Sequence, residues 1–264
     1  GLRTVLAFND RNPGDVYLFD ETKGSLEGLM AHARWIDPAT MAAKRPIQFR
    51  ARDGLDLHGY LTLPNGHAEG PVPMILMPHG GPIGVRDDAG FDLQVQMLAA
   101  VGYGVLQVNF RGSSGRGDAF EAKGLGEWGG RMQDDLSDAV AWAIAEGHAK
   151  PGGFCAVGAS YGAFASMLAL ARDPANFACG IGDVGVYDLT TWSEDADVGR
   201  SRSARRAVAQ SLEGVDRAAV SPIAQAAKIS DPVLLTAGEL DRRAPAAQSK
   251  AFAEALRAAG VPVE

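Results

Sequence analysis

The sequence predicts an α/β fold: a mostly parallel sheet with helices on both faces. Three observations carry that expectation. From residue 47 onward, short runs rich in Val, Leu, Ile and Phe alternate with segments of helical period. Two of these runs, PMILMPHGG and PVLLTAG, are continuously apolar at their centres, which suits strands buried on both faces. The chain has 264 residues, 46% apolar and 22% charged, a length and balance that support a large core without staples.

The elements follow in order. TVLAFND and DVYLFD read as short strands, with RNPGD as the turn between them. ETKG is a second turn and SLEGLM a third strand. Three antiparallel strands are marginal alone, so residues 1–34 read as the end of a larger all-β unit. Residues 35–46 read as a linker, and 47–264 as the main domain. PIQFRARDGLDLHGYLTLP gives two alternating strands around the turn signal Asp53-Gly54. FDLQVQMLAAVG is helical in spacing and ends at Gly102. GVLQVNF is a strand before the Gly-rich loop RGSSGRGDAF. QDDLSDAVAWAIAEG places Leu136, Val140, Ala143 and Ile144 on one helix face, with Asp134 and Asp135 suited to its N-terminus. GGFCAVG and ACGIGDVGVYD read as strands flanking the helix FASMLALARD. Residues 188–230 are polar and helix-prone. PAAQSKAFAEALRAAG is a helix, and VPVE begins another strand.

Composition narrows the functions. A net charge of −7 argues against nucleic acid or an anionic membrane as partner. The basic cluster 200–206 is read as a solvated helix face or loop. No apolar stretch has the length of a membrane span, and no cofactor or metal is implied. Cys155 and Cys179 are read as buried reduced thiols in preference to a disulfide. The chain starts at Gly1 in a strand-like run and reads as an excised segment, so the compartment stays open.

The chemistry centres on Gly158-Ala159-Ser160-Tyr161-Gly162, between a buried strand and a helix. That context is what a nucleophile on a sharp strand-to-helix turn needs: glycines where a Cβ would clash, and a serine pushed out at the carboxyl edge of the sheet. Acyl transfer also needs donors for the developing oxyanion. The Tyr161 N–H follows the serine, and Gly81 in Pro78-His79-Gly80-Gly81-Pro82 is the choice for the second donor. Asp241, beyond the strand PVLLTAG, is the candidate acid, with Glu239 and Asp183 as lesser alternatives. The base is missing. The five histidines, His32, His58, His67, His79 and His148, all precede Ser160, whereas this arrangement runs serine, acid, histidine. His79 is read as bracing the oxyanion loop, His148 as sitting at a helix end, and the other three as surface or linker residues.

Five motifs in order, HGGP (79–82), NFRGSSGRG (109–117), WGGRMQDD (128–135), GASYG (158–162) and GELDRRAP (238–245), resemble the prolyl oligopeptidase (S9) serine peptidases. The nearest likeness is to the acylaminoacyl-peptidase and dipeptidyl-peptidase branches. The resemblance implies an α/β-hydrolase fold that lacks its C-terminal strand and helix and is preceded by a β-propeller remnant at 1–34. It implies Ser160 as nucleophile, Asp241 as acid, Gly81 and Tyr161 as oxyanion donors, and a histidine beyond the chain end. Ala163 departs from the family, where a second glycine is common.

The implied function is hydrolysis of short peptides through an acyl-enzyme. The alternatives are a carboxylesterase or lipase with the same machinery, and an inactive fragment completed by another chain. The partners implied are a peptide substrate and the missing C-terminal segment or another protomer.

Overall fold

The computed structural model describes residues 1–264, with Asp195 described by its backbone alone. Two sheets form. The strands β1 (Leu2–Ala7), β2 (Asp15–Asp20) and β3 (Ser25–Ala31) make an antiparallel sheet in that order. Its β1 is exposed at every residue, as expected of a strand with little to pack against.

The second sheet has seven strands: β4 (Lys44–Arg50), β5 (Asp56–Thr62), β6 (Met74–Leu76), β7 (Gly104–Asn109), β8 (Phe154–Ala159), β9 (Phe177–Asp183) and β10 (Val233–Thr236). Their order is β10-β9-β8-β6-β7-β5-β4. The pairs β4–β5 and β5–β7 are antiparallel, and the remaining pairs are parallel. Pro46 lies within β4, where a missing N–H is tolerated because β4 is an edge. Val263 bridges Val233 in parallel, so VPVE does start to extend the opposite edge.

The helices are α1 (Leu93–Ala100), α2 (Asp118–Ala122), α3 (Arg131–Ala145), α4 (Tyr161–Arg172), α5 (Trp192–Asp195), α6 (Arg202–Ser211), α7 (Arg217–Val220), α8 (Pro222–Gln225) and α9 (Ala246–Ala258). The short strand β6 shows how they cover the sheet. Met74 and Leu76 join the larger core with Met132 and Leu136 of α3 and Phe164 of α4. Ile75 and its neighbour Met77 face the smaller core with Val95 of α1. This two-sided burial is why the run reads as continuously apolar.

Two buried polar side chains tie the loops to this frame. Gln96 of α1 donates to Asp10 O (3.0 Å) and Ala42 O (2.8 Å), and accepts from Ala42 N–H (2.9 Å). It thereby pins the segment between the sheets. Arg111, in the Gly-rich loop after β7, binds Asp135 of α3 through Nε (2.9 Å) and Nη2 (2.6 Å), and Asp53 through Nη1 (2.8 Å). The loop is thus locked to the start of α3 and to the β4–β5 turn.

The cysteines depart from expectation. Cys155 and Cys179 face each other across β8 and β9, with Cα atoms 4.7 Å apart, and form a disulfide. Both are half-buried rather than buried. Cross-strand register, which decides the pairing, is not readable from spacing along the chain. Titrating the unfolded, unreduced chain with a thiol reagent should therefore find no free thiol, and about two after reduction.

Candidate active site

Ser160 is the junction of β8 and α4. Its backbone is at φ 57°, ψ −122°, a left-handed value that a non-glycine residue rarely adopts. The flanking glycines explain how the turn closes. A Cβ on Gly158 would overlap the Gly162 backbone, and one on Gly162 would overlap the Pro78 carbonyl oxygen. The turn is held from the next strand, since Ser160 N–H donates to Asp183 O (3.0 Å). Among the described residues, the Ser160 side chain caps nothing in α4 and is left free at the sheet's carboxyl edge. Ala163 fits within the buried first turn of α4.

The loop after β6 packs directly on this turn. A Cβ on Gly80 would lie 3.4 Å from Ala159 O and 3.7 Å from Ser160 Cβ. Gly81 has φ +119°, a conformation open to glycine. Among the described residues, neither the Gly81 N–H nor the Tyr161 N–H finds an acceptor in the chain. The first lies one residue beyond the Gly80 contact, and the second opens α4. The positive end of the α4 dipole faces the same space.

His79 supports that loop, as the sequence suggested. Its Nδ1 bonds Gly80 O (2.7 Å), its Nε2 bonds Ser113 Oγ (2.8 Å), and its ring stacks on Phe110 at 4.3 Å between centroids. Burial pushes its pKa down to about 4, so the ring is neutral at neutral pH. With both nitrogens engaged it is not available as a general base. Of the other histidines, His58 lies in β5, in the second strand expected around Asp53-Gly54, and is half-buried. His148 follows α3 and packs against Trp142 (5.6 Å).

Asp241 stands at the same edge, after β10. Its Oδ1 accepts from Arg243 N–H (2.7 Å) and Ala244 N–H (2.9 Å), which holds the carboxylate with Oδ2 left for another partner. The segment after β9 clamps this loop. Trp192 Nε1 donates to Arg243 O (2.8 Å), Asp197 N–H donates to Arg242 O (2.7 Å), and Arg243 Nε pairs with Asp197 (2.6 Å). Sequence reading could not name these residues within 188–230, because nothing local marks which turn meets the Asp241 loop. Asp183 is tied differently: its Oδ1 accepts from Thr236 Oγ1 (2.5 Å), and its carbonyl holds Ser160. Glu239 is an exposed turn residue.

A cavity of about 570 Å³ lined by Tyr103, Lys150, Cys155 and Cys179 opens at the opposite, amino edge of the sheet and takes no part in this site. Among the described residues, no group of three or more His, Cys, Asp or Glu side chains is placed to hold a metal ion. No described helix is long and apolar enough to cross a membrane.

Burial shifts two groups of the segment after β6 in opposite directions. Asp87, bonded by Gln107 Nε2 (2.9 Å) and facing Lys44, Asp88 and Asp92, is pushed up by burial to about 7. Folding therefore favours its proton, and this contribution is lost as pH rises from about 4 to about 7. The depressed His79 contributes stability that is lost as pH falls from about 6.5 to about 4. Asp87→Asn should accordingly gain stability relative to wild type as pH rises through the first window, and His79→Gln as pH falls through the second. Urea unfolding across pH checks both signs.

A mostly parallel sheet with a free serine on a strained strand-to-helix turn, an open glycine loop and a carboxylate beyond a later strand defines an α/β-hydrolase. The comparisons refine this. The prolyl oligopeptidase family pattern matches residues 89–264. The chain is 35% identical over 263 residues to the dipeptidyl aminopeptidase BIII of Pseudoxanthomonas mexicana, covering 94% of this chain and 38% of that protein. It is 30% identical over 218 residues to the acylamino-acid-releasing enzyme of Sus scrofa, covering 80% of this chain and 30% of that one. Among solved structures, a puromycin hydrolase superposes with a TM-score of 0.86 at 26% identity, covering 99% of this chain and 40% of that one. The acylaminoacyl peptidase of Pyrococcus horikoshii does so with a TM-score of 0.83 at 25% identity, covering 98% and 42%. The chain belongs to the prolyl oligopeptidase family, and it spans 38% of the length of the Pseudoxanthomonas relative.

Proposed function

We propose that this chain carries the nucleophile, oxyanion donors and acid of a serine peptidase acting on short peptides. The observation that supports this most is Ser160, held at φ 57° with its hydroxyl free beside Gly80. In this reading Ser160 Oγ attacks the scissile carbonyl. The oxygen that gains charge is received by the N–H groups of Gly81 and Tyr161, fixed in place before reaction. Asp241 presents Oδ2 to an imidazole, setting its tautomer and stabilising its cation. That imidazole is not among the five histidines of this sequence, and the reading assigns it to sequence following Glu264 or to another protomer. Residues 1–34 are assigned to a β-propeller remnant, and the 35–46 linker and 47–264 catalytic domain are kept with one adjustment, that Lys44–Pro46 join the catalytic domain because they pair with β5 as part of β4. The peptidases among the relatives support a peptide as substrate.

The deciding assay compares aminoacyl p-nitroanilides with p-nitrophenyl esters, using the enzyme that contains this chain. Turnover of anilides supports the peptidase; turnover of esters alone would make the protein an esterase built on the same residues. Asp241→Asn should lower kcat about 10⁴-fold with little change in fold, because the carboxylate's role lies in orienting the base. Steady-state kinetics and circular dichroism of the variant check both halves of that expectation.

A further inference from the structure

We infer that Ser113 is a positioning residue for the oxyanion site, acting through the tautomer of His79. The inference rests on the peptidase reading for its catalytic consequence, though not for its geometry.

The argument begins with donors and acceptors. Gly80 O can only accept, so His79 Nδ1, 2.7 Å away, must carry the hydrogen. A neutral imidazole has one N–H, so Nε2 is then an acceptor. The Ser113 hydroxyl, 2.8 Å from Nε2, must therefore be the donor. Ser113 is fully buried at 0% exposure, and His79 is 9% exposed, so water competes little for either bond. The serine itself is fixed by the turn after β7, where its N–H donates to Phe110 O (3.0 Å). The same turn supplies the Phe110 ring beneath the imidazole. One loop thus sets the plane of His79 from below and its proton from the side.

The consequence reaches the reaction through one peptide unit. Gly80 C=O and Gly81 N–H belong to the same planar group and point in opposite directions when it is trans. Fastening Gly80 O to His79 turns the Gly81 N–H the other way. With the Nε2–H tautomer instead, Nδ1 and Gly80 O would both be acceptors and would repel. The peptide would then lose the restraint that fixes Gly81. Glycine on both sides of the bond makes that restraint necessary, since neither residue resists rotation by itself.

The test reads the tautomer directly. In the ¹⁵N-labelled chain at neutral pH, His79, assigned by the loss of its signals in His79→Gln, is expected as the Nδ1–H form. Ser113→Ala should shift it towards Nε2–H, and Ser113→Cys, with a weaker donor of similar size, should lie between. An Nε2–H ring in the wild type, or a ring unchanged in both variants, overturns the inference. In the active enzyme, Ser113→Ala should lower kcat about tenfold at constant KM, less than the roughly 10²–10³ lost with a whole oxyanion donor. A shifted tautomer with unchanged kcat overturns the catalytic part. Failure of every form to hydrolyse peptides would instead count against the peptidase reading and leave the tautomer result standing.

Discussion

Replacing Ser160 by alanine is expected to lower kcat for a peptide substrate by about 10⁶-fold and leave the fold intact. The two halves of this expectation have separate causes. The hydroxyl makes no hydrogen bond to α4, so its removal leaves no partner stranded, and stability should change by less than about 0.5 kcal/mol. The strained backbone remains, since alanine meets the same penalty at φ 57°. Catalysis loses the attacking atom, and the oxyanion donors and binding surface alone retain about 10³–10⁴ over water. Single-turnover kinetics with thermal unfolding of the same preparation would measure both. A variant that kept a tenth of its activity would mean that another group attacks the substrate.

Gly162→Ala should have the opposite profile, failing through the fold. The new methyl would overlap Pro78 O, and the His79 carbonyl carbon lies 3.4 Å away. Both are backbone atoms, with no side chain able to swing aside. Either α4 moves outward or the Pro78–Gly80 segment moves away, and both are packed. The cost should be at least about 3 kcal/mol, enough to remove much of a domain's net stability. Gly54→Ala is the control. Gly54 has φ +85° but nothing within 4 Å of an added methyl, so only the backbone penalty of about 1–2 kcal/mol applies. Chemical unfolding of the two variants should rank them in that order, and equal losses would show that contact with Pro78 is unimportant.

The contrast between these glycines shows what can be read from sequence. The Gly-x-Ser-x-Gly pattern is local, and the strand before it and helix after it are set by short-range periodicity, so β8, Ser160 and α4 were legible. The turn that carries Asp241 was legible too, but the continuous apolar run before it predicted burial on both faces, whereas β10 ends the sheet and is only partly buried, with Leu234 39% exposed. What was not legible depends on register and distant packing. The Cys155–Cys179 disulfide required knowing that β8 and β9 are neighbours in that register. The donation from Ser113 to His79 joins residues 34 positions apart. The clamp of Trp192 and Asp197 on the Asp241 loop falls in a segment whose helices are short, with α5, α7 and α8 only four residues each. Four residues hold less than two turns of periodic signal, too few to reveal a buried face.

The ion cluster at Arg111 has a consequence for temperature. Its guanidinium is 3% exposed and Asp135 is fully buried, so folding strips both of water. That dehydration is the main opposing cost, and it shrinks on heating because hydration of ions becomes less favourable. Apolar burial does not strengthen in the same way at high temperature. The Gly-rich loop and the start of α3 are therefore fastened by a contact whose relative weight grows as the molecule warms. Heat should loosen the sparsely packed β1–β3 sheet well before it frees the loop that carries Ser113 and contacts His79.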